Sequence, residues 1–333
     1  MTRRVAIVPL LLLSGLVMPS FAQDPTSTSA EAQGWLQRIV AAPRLHNYIG
    51  TFVYSSGGHM ETSRVVHKVD KEGESERIEV LDGSPREVIR NNDEVRCYFP
   101  ERNTVVTEKR GLRKFFPALL PEPLSKLNDN YIVKKGGRER ISDYECQVIV
   151  LESRDKMRYS QKLWADISTG LLLKAAVMDR GQVVEQFVFT QLEIDGEIDE
   201  ELLKPNYLTK SAKLHITNLV SSKMEKGELG WQVENLPPGF MKVIEVKRSL
   251  SGRTTPIGHI TLSDGLAAVS VFIEPAEEGD FQPVQKSFPR QGAMNIYTRT
   301  VGGNMVTTIG EVPPATVIQI GNSVVNYKVK WAE

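Results

Sequence analysis

Tyr48-Ile49-Gly50-Thr51-Phe52-Val53-Tyr54 decides the fold. Aromatic and β-branched residues crowd it, and such residues fit a pleated, half-buried surface. Ser56-Gly57-Gly58-His59 then makes a turn, and Glu61 to Val69 reads as the returning strand. Downstream the same grammar recurs. Arg77 to Leu81 runs to a turn at Asp82-Gly83, and Glu87 to Arg90 to one at Asn91-Asn92. Val95 to Phe99, Thr104 to Thr107, Tyr131 to Lys135, Tyr144 to Glu152, Tyr159 to Ala165, Leu171 to Met178 and Val183 to Ile194 follow. Short strands with regular turn signals predict an antiparallel meander, as a sheet, sandwich or open barrel. Strands and helices do not alternate, which argues against a parallel nucleotide-binding sheet.

Upstream of Tyr48 the apolar period is helical. Trp35, Leu36, Ile39 and Val40 form one stripe of a helix expected from Ala30 to about Ala42, with Ser29 as its cap and Pro43 as its end. Asp24 to Ser29 is expected to be a flexible leader. Further upstream, Arg3 and Arg4 precede an apolar run from Val5 to Met18, and small residues stand at Ser20 and Ala22. This is the pattern of a secretory signal peptide, residues 1–22. The alternative is a retained anchor, but a 14-residue run reaches only about 21 Å as a helix, against about 30 Å of bilayer core.

One segment breaks the meander. Gly111 to Asn130 is dense in apolar residues, and its three prolines prevent a long helix. Two readings stand for it: a plug sealing one end of a barrel, or a lid over an apolar pocket. A second boundary falls in the polar stretch Lys210 to Leu229. New strand candidates begin at Trp231 and continue through Val243 to Lys247, Gly258 to Leu262, Ala267 to Ile273, Asn295 to Thr300, Met305 to Glu311 and Val324 to Trp331. Pro313 to Ser323 is read as a short helix. The expected organisation is a signal peptide at 1–22, a first domain at 28–209, a linker at 210–230 and a smaller α+β domain at 231–333. The fold class is mostly β (α+β).

The chain carries 41 basic and 41 acidic residues. Loss of Arg3 and Arg4 with the leader leaves 39 against 41, a net charge of −2. That balance lacks the basic footprint of a nucleic-acid binder. Cys97 and Cys146 are the two cysteines. An exported chain meets an oxidising compartment, so a disulfide between them stands beside two buried thiols as alternatives. Catalytic motifs are missing: His46, His59, His67, His215 and His259 form no His-Glu-x-x-His pattern, and no Gly-x-Ser-x-Gly elbow or phosphate-cradling loop occurs. The expectation is a binding protein rather than an enzyme, without metal or cofactor.

Longer strings carry more. Met60-Glu61-Thr62-Ser63-Arg64-Val65-Val66-His67 follows the first strand, then Leu81-Asp82-Gly83-Ser84-Pro85-Arg86-Glu87-Val88-Ile89-Arg90 and Val95-Arg96-Cys97-Tyr98-Phe99-Pro100. Leu163-Trp164-Ala165-Asp166, Thr169-Gly170-Leu171-Leu172-Leu173-Lys174 and Glu185-Gln186-Phe187-Val188-Phe189-Thr190 come later. Leu236-Pro237-Pro238-Gly239-Phe240, Ser263-Asp264-Gly265-Leu266-Ala267 and Gly310-Glu311-Val312-Pro313 lie near the end. In this order, over nearly the whole chain beyond the leader, they resemble the RseB/MucB family of periplasmic regulators of the envelope-stress sigma factor. The resemblance implies a first domain similar to the LolA/LolB lipoprotein carriers, an unclosed antiparallel β-barrel around helical segments. It implies a periplasmic protein, held at the inner membrane by binding the periplasmic part of an RseA- or MucA-type anti-sigma factor. Bound there, such a regulator shields its partner from regulated proteolysis until a lipid or lipopolysaccharide signal releases it. A periplasmic lipid or lipoprotein carrier is the alternative.

On that reading, Phe115, Phe116, Leu119 and Leu120 are candidates for a mobile cover over acyl chains. Trp164, Phe187 and Phe189 are candidates to line the interior, with ordinary core packing as the competing account. Lys109, Arg110, Arg113 and Lys114 form a basic run that is either a phosphate contact or a solvated turn. In the second domain Phe288, Tyr297 and Arg299 are the partner-binding candidates, since aromatic and Arg residues tend to anchor interfaces. The sequence leaves self-association into a homo-oligomer open.

Overall fold

A computed structural model describes residues 25–92, 94–109, 120, 124, 127–207, 215–218, 221–223, 229–248, 256–276, 285–287 and 292–327. The first helix, α1 (Pro25–Ala41), begins earlier than the sequence suggested. Ser29 lies inside it rather than capping it, and Pro25 takes the first position, where a missing N–H costs nothing. Ala32, Leu36 and Ile39 recur at helical spacing and are buried. Trp35 and Val40 are partly buried against the same core. The end of α1 is pinned, because Arg38 lies over the Trp35 ring and donates to the carbonyls of Ile167 and Ser168.

The meander then unfolds in order. Its strands are β1 (Tyr48–Ser56), β2 (His59–Asp70), β3 (Gly73–Val80), β4 (Glu87–Asn91), β5 (Glu94–Phe99) and β6 (Thr104–Lys109). After α2 (Leu127–Asn130) come β7 (Tyr131–Ile141), β8 (Tyr144–Ser153), β9 (Ser160–Asp166), β10 (Leu172–Asp179) and β11 (Gln182–Ile194). The short strand β12 (His215–Asn218) completes a 12-stranded sheet ordered β12-β6-β5-β4-β3-β2-β1-β11-β10-β9-β8-β7. Every pairing in it is antiparallel except β12 on β6. β7 and β12 are its two ends, so the sheet is unclosed among the described residues.

Burial along β1 starts Tyr48, Gly50, Phe52, the alternation its sequence predicted. Gly50 permits a close approach here: a Cβ on it would lie 2.7 Å from the Phe189 ring and from the Gln191 carbonyl. The inner face of the sheet and α1 share one apolar core. On the outer face of β3 the chain returns after β11. A short 3₁₀ turn (Glu200–Leu203) and the residues after it cover Arg77 and Glu87 there.

The second sheet is built from β13 (Ser221–Lys223), β15 (Met241–Arg248), β16 (Ile257–Ser263), β17 (Ala268–Pro275), β18 (Gln285–Ser287), β19 (Asn295–Val301) and β20 (Asn304–Gly310), with β14 (Trp231–Val233) pairing separately with β21 (Val324–Asn326). Its order is β13-β15-β16-β17-β20-β19-β18. The helix α3 (Pro314–Asn322) packs on it, and its own apolar core is distinct from the first. The architecture is mostly β, with a large open sheet and a smaller sheet-and-helix unit.

Candidate functional site

Two of the proposed lining residues meet on the inner face. Phe187 and Phe189 alternate along β11 and are both buried. Phe52 contacts them edge to face, at 6.4 and 5.9 Å between ring centres, and Tyr48 meets Phe189 at 6.3 Å. Edge-to-face aromatic contacts of this kind add about 0.5–1.5 kcal/mol each beyond area burial. Leu120, one of the cover candidates, belongs to the same apolar core and is 5 % exposed.

Trp164 does not join them. Leu163, Ala175 and Phe187 stand opposite one another across β9, β10 and β11, and so do Trp164, Lys174 and Val188. Side chains alternate along a strand, so Trp164 projects from the face opposite to Phe187. There its ring lies between the Lys162 and Lys174 ammonium groups, 4.6 and 4.5 Å from its centre. Its Nε1–H donates to Glu139 at 2.7 Å, and Lys162 pairs with the same carboxylate at 3.0 Å. The indole hydrogen bond and the Lys162 ammonium hold the Glu139 carboxyl below the usual carboxylate range. Phe115, Phe116 and Leu119, the side chain of Lys109 and Arg110, Arg113 and Lys114 lie outside the described residues, as does the leader 1–22.

In the second unit Tyr297 is 2 % exposed and its hydroxyl donates to Asn322 at 2.6 Å. It is core in this arrangement and offers a partner no surface. Arg299 donates to the Val324 carbonyl at 2.8 Å and so ties β19 to β21. Phe288 lies outside the described residues. Cys97 and Cys146 are not bridged. They sit on β5 and β8, with β4, β3, β2, β1, β11, β10 and β9 ordered between them, whereas a disulfide requires Cα atoms within about 7 Å.

The feature that sequence reasoning passed over is the seam between the two units. Asp264, in the turn after β16, sends Oδ1 to its own backbone, accepting from Leu266 and Ala267 at 2.9 and 2.7 Å. Its Oδ2 faces the first unit, where it accepts from Arg158 Nη1 at 2.5 Å and from the Tyr131 hydroxyl at 3.1 Å. Arg158 lies in the β8–β9 loop, and neither its side chain nor that of Asp264 touches solvent. Burial opposes the Arg158 charge, but the hydrogen bonds it donates to Asp155 and the charge of Asp264 outweigh it and raise its pKa. Burial and the Asp264 carboxylate push the Tyr131 hydroxyl well above its ordinary value. Around this pair Asn130 donates to the Asp264 carbonyl, Thr316 to the Met157 carbonyl and Asn295 to the Tyr159 hydroxyl. Arg158 also donates to the Pro238 carbonyl, and its guanidinium stands 5.2 Å from the centre of the Phe240 ring.

An open sheet with an aromatic inner face, coupled through a polar seam to a second β unit, defines a two-module chain. No group of residues suited to hold a metal occurs among the described residues, and no described helix is long and apolar enough to cross a membrane. Residues 31–207 match the MucB/RseB N-terminal domain and residues 225–325 the MucB/RseB C-terminal domain. The chain belongs to the MucB/RseB family. It is 31% identical over 320 residues to the sigma factor AlgU regulatory protein MucB of Pseudomonas aeruginosa, covering 95% of this chain and 96% of that one. It is 26% identical over 314 residues to the sigma-E factor regulatory protein RseB of Escherichia coli K12, covering 93% and 95%. The solved complex of Pseudomonas aeruginosa MucA and MucB aligns with a TM-score of 0.70 and 28% identity, over 89% of this chain and 99% of that one. A crystal structure of MucB with MucA(peri) aligns with a TM-score of 0.68 at 28% identity, over 89% and 98%.

Proposed function

We propose that this protein is a periplasmic negative regulator of an envelope-stress sigma factor. It binds the periplasmic part of a membrane-spanning anti-sigma factor of the RseA or MucA type and shields it from regulated proteolysis. A lipid or lipopolysaccharide signal releases it. The observation that carries this reading is the end-to-end likeness to sigma-factor regulatory proteins, including a relative solved in complex with MucA. Both modules take part in that likeness, which favours a regulator over a one-domain carrier. The proteins named in these comparisons are regulators, which supports binding rather than turnover as the activity.

The inner face supports the lipid half of the reading. Phe52, Phe187 and Phe189 make an apolar surface that suits acyl chains, each buried methylene contributing about 0.8 kcal/mol. Since these rings are buried, an acyl chain reaches them only by displacing what covers them. The test is a titration of residues 23–333 against the periplasmic segment of the cognate anti-sigma factor, with and without lipopolysaccharide. Tight binding that lipopolysaccharide weakens is the expected result. Binding indifferent to lipid removes the signal from the proposal. Absence of binding, with stoichiometric lipid carried through purification, replaces it with a lipid carrier.

A further inference from the structure

We propose that Arg158 and Asp264 form a reversible latch that holds the two modules in one arrangement and can release them without unfolding either. The inference does not depend on the regulatory reading.

Three observations carry it. First, each half of the pair keeps a partner of its own. Asp155, in the same loop as Arg158, accepts from Arg158 Nε at 3.1 Å and Nη2 at 3.0 Å. Asp264 keeps the two backbone N–H groups of its own turn on Oδ1, and only Oδ2 crosses the seam. Breaking a buried ion pair is costly chiefly when it strands a charge in a dry interior. Here separation returns Arg158 and Asp264 to water with their local partners intact.

Second, the two apolar cores are separate clusters, one in each module. Leu266 is the second module's residue among the partly buried apolar ones packed on the first core. Beside it the described seam holds the Arg158–Phe240 contact and hydrogen bonds donated by Tyr131, Asn130, Thr316, Asn295, the Ala293 backbone and Arg158 itself. Interfaces between domains that move are of this polar kind. Third, the pair joins two tight local elements, the β8–β9 loop and the Asp264 turn. Both are held by contacts inside their own modules, so neither needs the other to keep its shape. A ligand that binds the joined and separated arrangements unequally will shift the latch in proportion to that difference.

The test uses the full mature chain. Asp264→Asn keeps the side-chain oxygen that caps Leu266 and Ala267 but removes the charge opposite Arg158. Hydrogen exchange in peptides 154–159 and 236–240 is expected to quicken at least tenfold, while β8, β9, β16 and β17 keep their protection. Small-angle scattering is expected to broaden towards separated modules. Wild-type protein supplies a reading that needs no variant to fold: its seam peptides should exchange at least tenfold faster than both cores. Exchange of the seam at the rate of the cores in wild type overturns the latch. So does an Asp264→Asn protein with unchanged seam exchange and scattering, or one in which both cores lose protection together.

Discussion

Glu87 meets Arg77 at 2.5 Å on the outer face of the large sheet, with neither side chain appreciably exposed. The same carboxylate accepts from the backbone of Asn206 and Tyr207, and Arg77 donates to the Leu202 carbonyl. One ion pair therefore fastens the chain that leaves β11 back across β3. Glu87→Ala leaves Arg77 with Glu79 as its remaining carboxylate and removes the acceptor of two backbone donors. Removing one partner of a buried pair costs about 3–5 kcal/mol. Chemical denaturation should report a loss in that range. Glu87→Gln preserves shape and one acceptor and should lose about 1–3 kcal/mol. Protease cleavage within residues 200–207 should quicken in both, and a Glu87→Ala protein as stable as wild type would refute the assignment.

The Trp164–Glu139 contact predicts a pH signature on the outer face. The carboxyl is held below the ordinary value of 4.5 by the indole N–H first and Lys162 second. A depressed folded pKa contributes stability above the ordinary carboxylate range and loses it as pH falls through the folded value. The Trp164 indole N–H resonance should therefore titrate with a midpoint below 4.5. Glu139→Gln should abolish that titration. The stability difference between wild type and Glu139→Gln should shrink as the solution is acidified through the same range. A midpoint above the ordinary value would remove the hydrogen bond from the account.

Cys146 should be chemically silent. Burial, assisted by the Asp166 charge, pushes its thiol up to about 12. The thiolate is the reactive species, and at pH 8 the folded protein should hold about a thousandfold less of it at this position than the unfolded chain. Ellman's reagent followed by peptide mass spectrometry should find Cys146 modified only as fast as the protein unfolds. The raised value also means that the contribution of Cys146 to stability is complete below the ordinary thiol pKa and is lost as pH rises towards 12. Rapid labelling of Cys146 in folded protein would contradict its burial.

Local patterns were legible in the sequence and long-range pairings were not. Alternation through Tyr48, Gly50 and Phe52 identified β1, and the stripe through Leu36 and Ile39 identified α1, because both signals lie within a few residues. Which candidates share a face was not legible. Phe187 and Trp164 are both aromatic and both buried, yet the register through Lys174 and Ala175 places them on opposite faces. A one-residue shift of register reverses every side chain of a strand, and register is fixed by partners distant in sequence. Tyr297 drew notice as an aromatic residue suited to an interface, whereas the Asn322 amide oxygen satisfies its hydroxyl inside the core. The seam pair was invisible for the same reason of distance: Arg158 and Asp264 stand 106 residues apart. Both seam partners of Arg158 do fall in strings that carried the family resemblance, Ser263-Asp264-Gly265-Leu266-Ala267 and Leu236-Pro237-Pro238-Gly239-Phe240, the second with the Pro-Gly composition of a turn.

That turn has a definite role at the seam. Phe240 N–H donates to the Pro237 carbonyl, with Pro238 and Gly239 between them. Gly239 has φ +77°, the third position of a type II turn, where glycine is favoured and a preceding proline is common. A Cβ there would lie 2.0 Å from the Asn130 side-chain oxygen, and Asn130 is the residue that donates across the seam to the Asp264 carbonyl. Gly239→Ala therefore carries two separable penalties. The left-handed backbone costs an L-residue about 1–2 kcal/mol, and the methyl group pushes Asn130 off its partner. Asn130→Ala alone loses the seam hydrogen bond, about 0.5–1.5 kcal/mol. In the double variant the clash is gone, so the combined loss should fall short of the sum of the two single losses. Denaturation midpoints of the four proteins measure that coupling. Strict additivity would mean that the methyl group finds room elsewhere, and that the turn meets the first module less closely than its geometry indicates.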